Sequence, residues 1–275
     1  MWIGMKIKLN ERLLETNCFT VYELCDKLCK NFYKERDVII VNGYQITEDL
    51  ELTEQDEIYT IKKGVMPEEN QLESMMVARH TPKVHSVVKK AKVAIAGLGG
   101  LGSNVAIMLA RSGVGNLLLV DFDIVEPSNL NRQSYYITHL GLPKTIALQQ
   151  QIKEINPFIN VITETVRVEE ENVEELFKGY DVICEAFDNA TAKAMLVNTA
   201  LERIRKVKVV AASGMAGYES SNLIKTERRM KNLYVCGDFE NEARIGYGLM
   251  APRVLLCAAH QANMIIRLLL GIEEV

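Results

Sequence analysis

Residues 92–133 read KVAIAGLGGLGSNVAIMLARSGVGNLLLVDFDIVEPSNLNRQ, and the fold turns on them. Val93 to Ala96 is an apolar run bounded by glycine, the pattern of a buried parallel strand. Gly97, Gly99 and Gly102 then fall in a G-x-G-x-x-G frame, with Gly100 as an extra glycine inside it. The spacing predicts a helix from Ser103 to Arg111, stopped by Gly113 and Gly115. Leu117 to Val120 is a second apolar strand, and it ends in Asp121. Strand, glycine turn, helix and strand make a β-α-β unit whose first turn lacks side chains. Backbone N–H groups at that helix N-terminus can therefore approach a phosphate. Asp121 lies 24 residues after Gly97 (121 − 97), near where a carboxylate accepts hydrogen bonds from a ribose. The plainer alternative is that the glycines serve only the close packing of helix on strand.

The continuation, DFDIVEPSNLNRQ, bears on which nucleotide is bound. A hydride-transfer enzyme needs room for a nicotinamide at the strand ends and an acid or base beside it. Positions 121 to 133 instead crowd together carboxylates (Asp121, Asp123), amides and one guanidinium, with Pro143-Lys144 following. These groups suit a triphosphate: Arg132 and Lys144 as cations for phosphate oxygens, Asn129 and Asn131 as amide donors. Pro143 is expected at N1 of a helix running to Glu154, which leaves Lys144 exposed in the first turn. A cation there opposes the positive end of the helix dipole unless a phosphate sits opposite. That misplacement argues for Lys144 as a ligand. Further on, Asp181 to Glu185 reads as another parallel strand, leading into AFDNATAK. Asp188 is thus expected at a strand's C-terminal end, where open α/β sheets bind ligands. Its other reading is an N-cap for a helix over 190 to 204.

GLGGLGS, DFDIVEPSNLNRQ, GLPK and FDNATAK together resemble the adenylating core of the ThiF/MoeB family, relatives of ubiquitin-activating enzymes. The resemblance spans roughly residues 70 to 271, with the four motifs in the family's order and spacing. It implies an α/β fold, a Rossmann-like mostly parallel sheet with helices on both faces. It also implies an ATP- and Mg2+-dependent adenylyltransferase that acts as a homodimer. The substrate implied is the C-terminal glycine carboxylate of a separate ThiS-like sulfur carrier protein, with pyrophosphate released, in thiamine biosynthesis. By the same resemblance Asp188, beside Asn189, holds the magnesium, and Arg79 reaches the ATP site of the partner subunit. The family carries a crossover loop where residues 218 to 250 stand, and Cys236 within it is the candidate for sulfur or thioester chemistry. Other readings stay open: a tRNA-modifying dehydratase of the same superfamily, a dinucleotide-dependent oxidoreductase, or a non-catalytic scaffold. Many relatives carry two C-x-x-C pairs that bind structural zinc. Here no C-x-x-C occurs, so no structural zinc is expected.

Residues 1 to 63 read as a separate small domain. Met5 to Leu9 alternates with period two, and Asn10-Glu11 turns the chain into a hairpin. Thr20 and Glu23 form a capping box for a helix with Val21, Leu24, Cys25 and Leu28 as its apolar stripe. Val38 to Val41 and Glu57 to Lys62 are further strands, and the order fits a β-grasp fold. VNGYQI and DEIYTIKKG resemble ThiS-type carriers, which are ubiquitin-like. A carrier needs a free Gly-Gly terminus, whereas this strand runs on into Lys63-Gly64-Val65-Met66-Pro67, so a docking or dimer role is expected. Residues 64 to 71 read as a linker and 72 to 275 as the ATP-binding domain.

With 275 residues the chain can bury a sizeable core in one or two domains. A formal net charge of −4 argues against a basic face for nucleic acid. No run is long enough to span a bilayer, and Met1-Trp-Ile-Gly-Met does not open a signal peptide. A cytoplasmic protein without membrane or nucleic-acid partners is expected.

Overall fold

β1 (Met5–Leu9) and β2 (Arg12–Thr16) pair antiparallel across a turn in which Asn10 and Glu11 both take positive φ, 48° and 66°. That double left-handed turn matches the twist of a hairpin. β3 (Val38–Val41), β4 (Tyr44–Ile46) and β5 (Glu57–Ile61) complete a sheet in the order β2-β1-β5-β3-β4. Only the β1–β5 pair is parallel in that sheet. α1 (Val21–Leu28) buries Val21, Leu24 and Cys25 with Ile7, Ile39 and Ile58. Thr20 accepts the Glu23 N–H at 3.3 Å, while the Glu23 carboxylate reaches one residue further back, to the Phe19 N–H at 2.7 Å. This is the β-grasp arrangement.

The computed structural model describes residues 4–29, 31, 33 and 35–275, and residues 1–3, part of the chain start read above, lie outside them. The chain divides into two units, Met1–His85 and Ser86–Val275. α2 (Glu69–Met76) packs on β5, and Ala78 joins Ile40 and Tyr59 in a small apolar cluster. The first unit therefore carries a helix that begins inside the expected linker, 64 to 71. α3 (Val84–Val88) comes next.

In the second unit, β6 (Lys92–Ala96), α4 (Gly100–Arg111) and β7 (Asn116–Val120) form the β-α-β unit. α5 (Lys144–Ile155), β8 (Asn160–Glu164), α6 (Val173–Phe177), β9 (Val182–Glu185) and α7 (Ala190–Arg203) follow. β10 (Lys208–Ala212), β11 (Lys225–Met230), β12 (Leu233–Gly237) and α8 (Ala251–Leu269) complete it. The sheet order is β11-β12-β10-β9-β6-β7-β8, parallel throughout except β11. Successive strands go one way from β6 to β8 and the other way from β9 to β12. Between β6 and β9 the order reverses, which opens a crevice beyond their C-terminal ends.

α6 and α7 cover one face: Phe177, Leu196 and Ala200, all fully buried, meet Ala94, Ile183 and Val209. α4 packs along α8 and α5 on the other. Truncating Phe177 to Ala in such a core costs about 3–5 kcal/mol. The expected crossover loop at 218 to 250 is a correction, because it contains β11 and β12. KTERRM is a charged edge strand and LYVCG a short buried one, and neither pattern stands out as sequence. No helix among the described residues is long and apolar enough to cross a membrane.

Candidate functional site

The crevice is floored by the glycine turn between β6 and α4. Gly97 has φ +90°, and a Cβ there would meet the Ala186 carbonyl oxygen at 2.8 Å and the Phe187 ring at 2.9 Å. A Cβ on Gly102 would fall on the Gly97 carbonyl oxygen. These two glycines are required by packing. Gly99 differs: the nearest atom to a Cβ there is Gln133 Nε2 at 4.0 Å. Space is therefore open beside the N-terminus of α4, where N–H groups lack helical partners. A Cβ on Gly100 would press on Val254 of α8 at 2.9 Å and lie 3.5 Å from Arg132 Cγ.

Asp121, at the end of β7 and 8% exposed, braces this turn. Its carboxylate accepts the Leu98 N–H at 2.6 Å and the Asp123 N–H at 2.8 Å. Burial pushes the Asp121 carboxyl up, against those two N–H groups and the nearby Lys144. Both oxygens are engaged, each with lone-pair capacity left for a ribose hydroxyl. Asn129 is buried and spends its side-chain oxygen on the Glu126 N–H at 2.9 Å, keeping its amide hydrogens as donors. The Asn131 oxygen accepts from Arg132 Nη1 at 2.8 Å. Arg132 Nε and Gln133 Oε1 are buried and have no hydrogen-bond partner.

A clamp that the motif reading missed holds this loop against α4. Ser103 Oγ accepts the Ser134 N–H at 3.0 Å, and Asn104 Nδ2 donates to the carbonyls of Arg132 at 3.0 Å and Gly100 at 2.6 Å. The Tyr135 hydroxyl donates to the Leu98 carbonyl at 2.8 Å. Ser103 and Asn104 were visible in GLGGLGSN, but only as helix residues.

Asp188 lies just past β9, across the switch point from the glycine turn, and is exposed. Asn189, not Asp188, is the N-cap of α7, accepting the Ala192 N–H at 3.0 Å. Asp188 has no hydrogen bond or ion pair among the described residues, so its carboxylate is available.

Two further placements depart from the sequence expectation. Lys144 is 6% exposed instead of solvent-facing, and Pro143 is the N-cap rather than N1. Its ammonium lies 2.9 Å from Asp123 Oδ2, so a carboxylate offsets the cation at the helix N-terminus without any phosphate. Cys236 is the second correction, standing in β12 between β10 and β11 with 0% exposure. Burial pushes its thiol up to about 11, and the Thr226 hydroxyl at 3.4 Å only partly opposes this. Such a thiol is neither reachable nor a thiolate at neutral pH, so it is a core residue here. Arg79 belongs to the first unit, where its guanidinium donates to the Gln45 side chain.

Among the described residues no group of three or more His, Cys, Asp or Glu side chains could hold a metal ion by itself. Mg2+ makes no such demand, since it takes one or two carboxylates and completes its shell with water and substrate phosphates. One available carboxylate, Asp188, across from an open glycine turn fits an ion carried on a nucleotide. The unpartnered Arg132 Nε and free amide hydrogens fit phosphate oxygens.

A family model described as ThiF family matches residues 73–275, and one described as ThiS-like ubiquitin matches residues 5–64. An adenylyltransferase and sulfurtransferase of Saccharomyces cerevisiae is 35% identical over 150 residues, 54% of this chain and 33% of that protein. A sulfur carrier protein adenylyltransferase of Thermus thermophilus is 36% identical over 139 residues, 50% of this chain and 51% of that protein. The match thus spans from a third to about half of these relatives. In fold, the chain is similar to the tRNA N6-threonylcarbamoyladenosine dehydratase of Escherichia coli, solved in complex with ATP. The TM-score is 0.66 at 20% identity, over 75% of this chain and 98% of that one.

Proposed function

We infer, since the chain belongs to the ThiF family, that it is an ATP-dependent adenylyltransferase acting on a sulfur carrier protein. The substrate is the C-terminal glycine carboxylate of a separate ThiS-like protein, and the products are an acyl-adenylate and pyrophosphate. The observation that carries this reading is the open space at Gly99, where the nearest atom is Gln133 Nε2 at 4.0 Å, on a loop that leaves the buried Arg132 Nε and Gln133 Oε1 without partners. A dinucleotide-dependent oxidoreductase would need an acid or base facing a nicotinamide, and these groups are phosphate ligands instead.

Attack of a carboxylate on the α-phosphorus of ATP is an in-line displacement that needs positioning and charge neutralisation more than a proton-transfer group. The N–H groups at the start of α4 receive phosphate oxygens, as helix N-termini do. Arg132, with its unpartnered Nε, and Asn129, with its amide hydrogens, would donate to the same anion. Lys144, held by Asp123, supplies a second cation, with Asp123 free to part from it when a phosphate arrives. Asp121 holds the ribose while it braces the turn. Asp188 would hold Mg2+, which when bound would supply charge neutralisation to the phosphates. The ThiS-like likeness of residues 5–64 supports a place in thiamine biosynthesis. Gly64 is followed by further chain, so that domain serves docking of the carrier or of a second subunit.

The test is ATP–pyrophosphate exchange with purified candidate carriers ending in Gly-Gly. Exchange that depends on the carrier and on its terminal glycine supports the reading. No exchange with any carrier, in protein that binds ATP, removes it.

A further inference from the structure

Beneath the crevice lies an ion pair to which the motifs assign no role. Glu185 ends β9 with 0% exposure, and Lys193 Nζ donates to both its carboxylate oxygens, at 3.1 and 3.0 Å. Burial pushes the Glu185 carboxyl up, and Lys193 is the main influence opposing it. A buried ion pair is a poor stabiliser, because desolvation offsets most of its attraction and an apolar pair of equal volume often does as well. Its location suggests another use.

The pair bridges three elements. Glu185 Oε1 also accepts the Phe187 N–H at 2.7 Å, which folds the turn after β9 back on itself. Lys193, one turn into α7, donates a third bond to the Ala212 carbonyl at 3.1 Å, at the end of β10. From α8, Gln261 donates to the Glu185 carbonyl at 3.0 Å. The residues held in this way, Ala186 and Phe187, fill the space that a side chain on Gly97 would need, and the Ala186 N–H donates to the Ala96 carbonyl at 2.9 Å. The turn that carries Asp188 is therefore registered against the glycine turn. Asp188 is the next residue along and has no bond of its own to fix it.

We propose that Glu185 and Lys193 are positioning residues, which set the distance between the Asp188 carboxylate and the phosphate-binding turn and so set the affinity for a magnesium–nucleotide. The proposal rests on the reading of Asp188 as a magnesium ligand, and it needs no turnover to be tested.

The experiment is titration calorimetry of the full chain with ATP, in excess Mg2+ and in excess chelator, below the melting temperature of each variant. Lys193→Met is expected to lower affinity for the magnesium complex by about 10-fold, the low end of the cost of losing a group that orients a metal ligand, because Lys193 acts on Asp188 only through the turn. Affinity for metal-free ATP should stay within about three-fold, as residues that do not touch the phosphates do not act on it directly. Lys193→Arg should recover most of the loss. Asp188→Asn should weaken the magnesium complex too, and the double variant should lose less than the sum of the two, because both act through one contact. A folded Lys193→Met protein with unchanged affinity in both solutions overturns the positioning role. If Lys193→Met does not fold, Glu185→Gln, which keeps an acceptor for the Phe187 N–H, takes its place. Equal losses with and without magnesium in it would mark the pair as structural only. Wild-type protein whose ATP affinity ignores magnesium overturns the reading of Asp188 beneath the proposal, which separates the two failures.

Discussion

Asp238 and Arg253 are 8% and 4% exposed and pair with one another inside the second unit. Burial works to raise the Asp238 carboxyl, but the N–H groups of Asn241 and Glu240, the Asn241 amide and the Arg253 guanidinium outweigh it and hold it below the usual carboxylate range. A carboxyl lowered in this way adds stability that is complete above its unfolded pKa, about 3.9, and disappears as pH falls through the lower folded value. Asp238→Asn should accordingly melt lower than wild type at pH 7, with the gap closing below about pH 4. Melting curves from pH 7 to pH 2 check this, and a gap that stays constant would contradict it. Cys236→Ala should keep carrier-dependent pyrophosphate exchange within two-fold of wild type while losing about 1 kcal/mol of stability, a typical core truncation. A ten-fold loss of exchange in a folded Cys236→Ala protein would restore that thiol to the chemistry. At this scale the sequence was legible for residue type and poor for neighbours. Lys144 was correctly seen as a cation at a helix start, but Asp123, twenty-one positions earlier, is what holds it. Lys193 stood in the FDNATAK motif without a partner, since its carboxylate comes from the preceding strand.

Elements were legible where hydrophobic period and glycine agree. β6, α4 and β7 appear in the expected order, with α4 starting at Gly100 where Ser103 was expected, since an apolar run, a stop and a glycine turn leave few alternatives. The start of α4 allows a matched test. Gly102→Ala should misfold or lose several kcal/mol, as the methyl collides with the Gly97 carbonyl. Gly99→Ala should keep the melting temperature within a few degrees yet weaken ATP binding at least about ten-fold, because its methyl occupies only ligand space. Parallel melting and binding measurements decide it: an unchanged ATP affinity in Gly99→Ala would move the phosphates elsewhere. β11 and β12 were not legible. β11 alternates charge instead of hydrophobicity, with Glu227 between Lys225 and Arg229 and paired to both. Charges of that kind suit an unpaired edge, where they discourage another strand from adding on. β12 is no shorter than β6, but it sits within the polar stretch 218 to 250 with no helix adjoining it on either side to mark a β-α-β unit.

The whole molecule divides where composition alone does not show it. α2 straddles the expected boundary between linker and second domain at 71–72, and just beyond it Ala78 packs with Ile40 and Tyr59 in the first unit. Arg79 follows directly, in that same unit, and the homodimer proposal gives it work in the partner's site. Arg79→Ala and Asp188→Ala should each abolish most exchange alone. Mixed after subunit exchange, they should recover up to about a quarter of wild-type activity, the share of intact sites in a random mixture. No recovery in mixtures shown to contain hybrid dimers would take Arg79 out of the site. The Val254 side chain against Gly100 has a consequence for synthesis. The first unit closes within His85 and can fold on the ribosome while the rest is still being translated. The glycine turn emerges soon after, yet the helix that walls it, α8, is translated much later, roughly ten seconds or more at about 5–20 residues per second. A nascent chain therefore displays its glycine turn well before that wall exists, and a ligand of the turn could assist folding only once α8 has emerged.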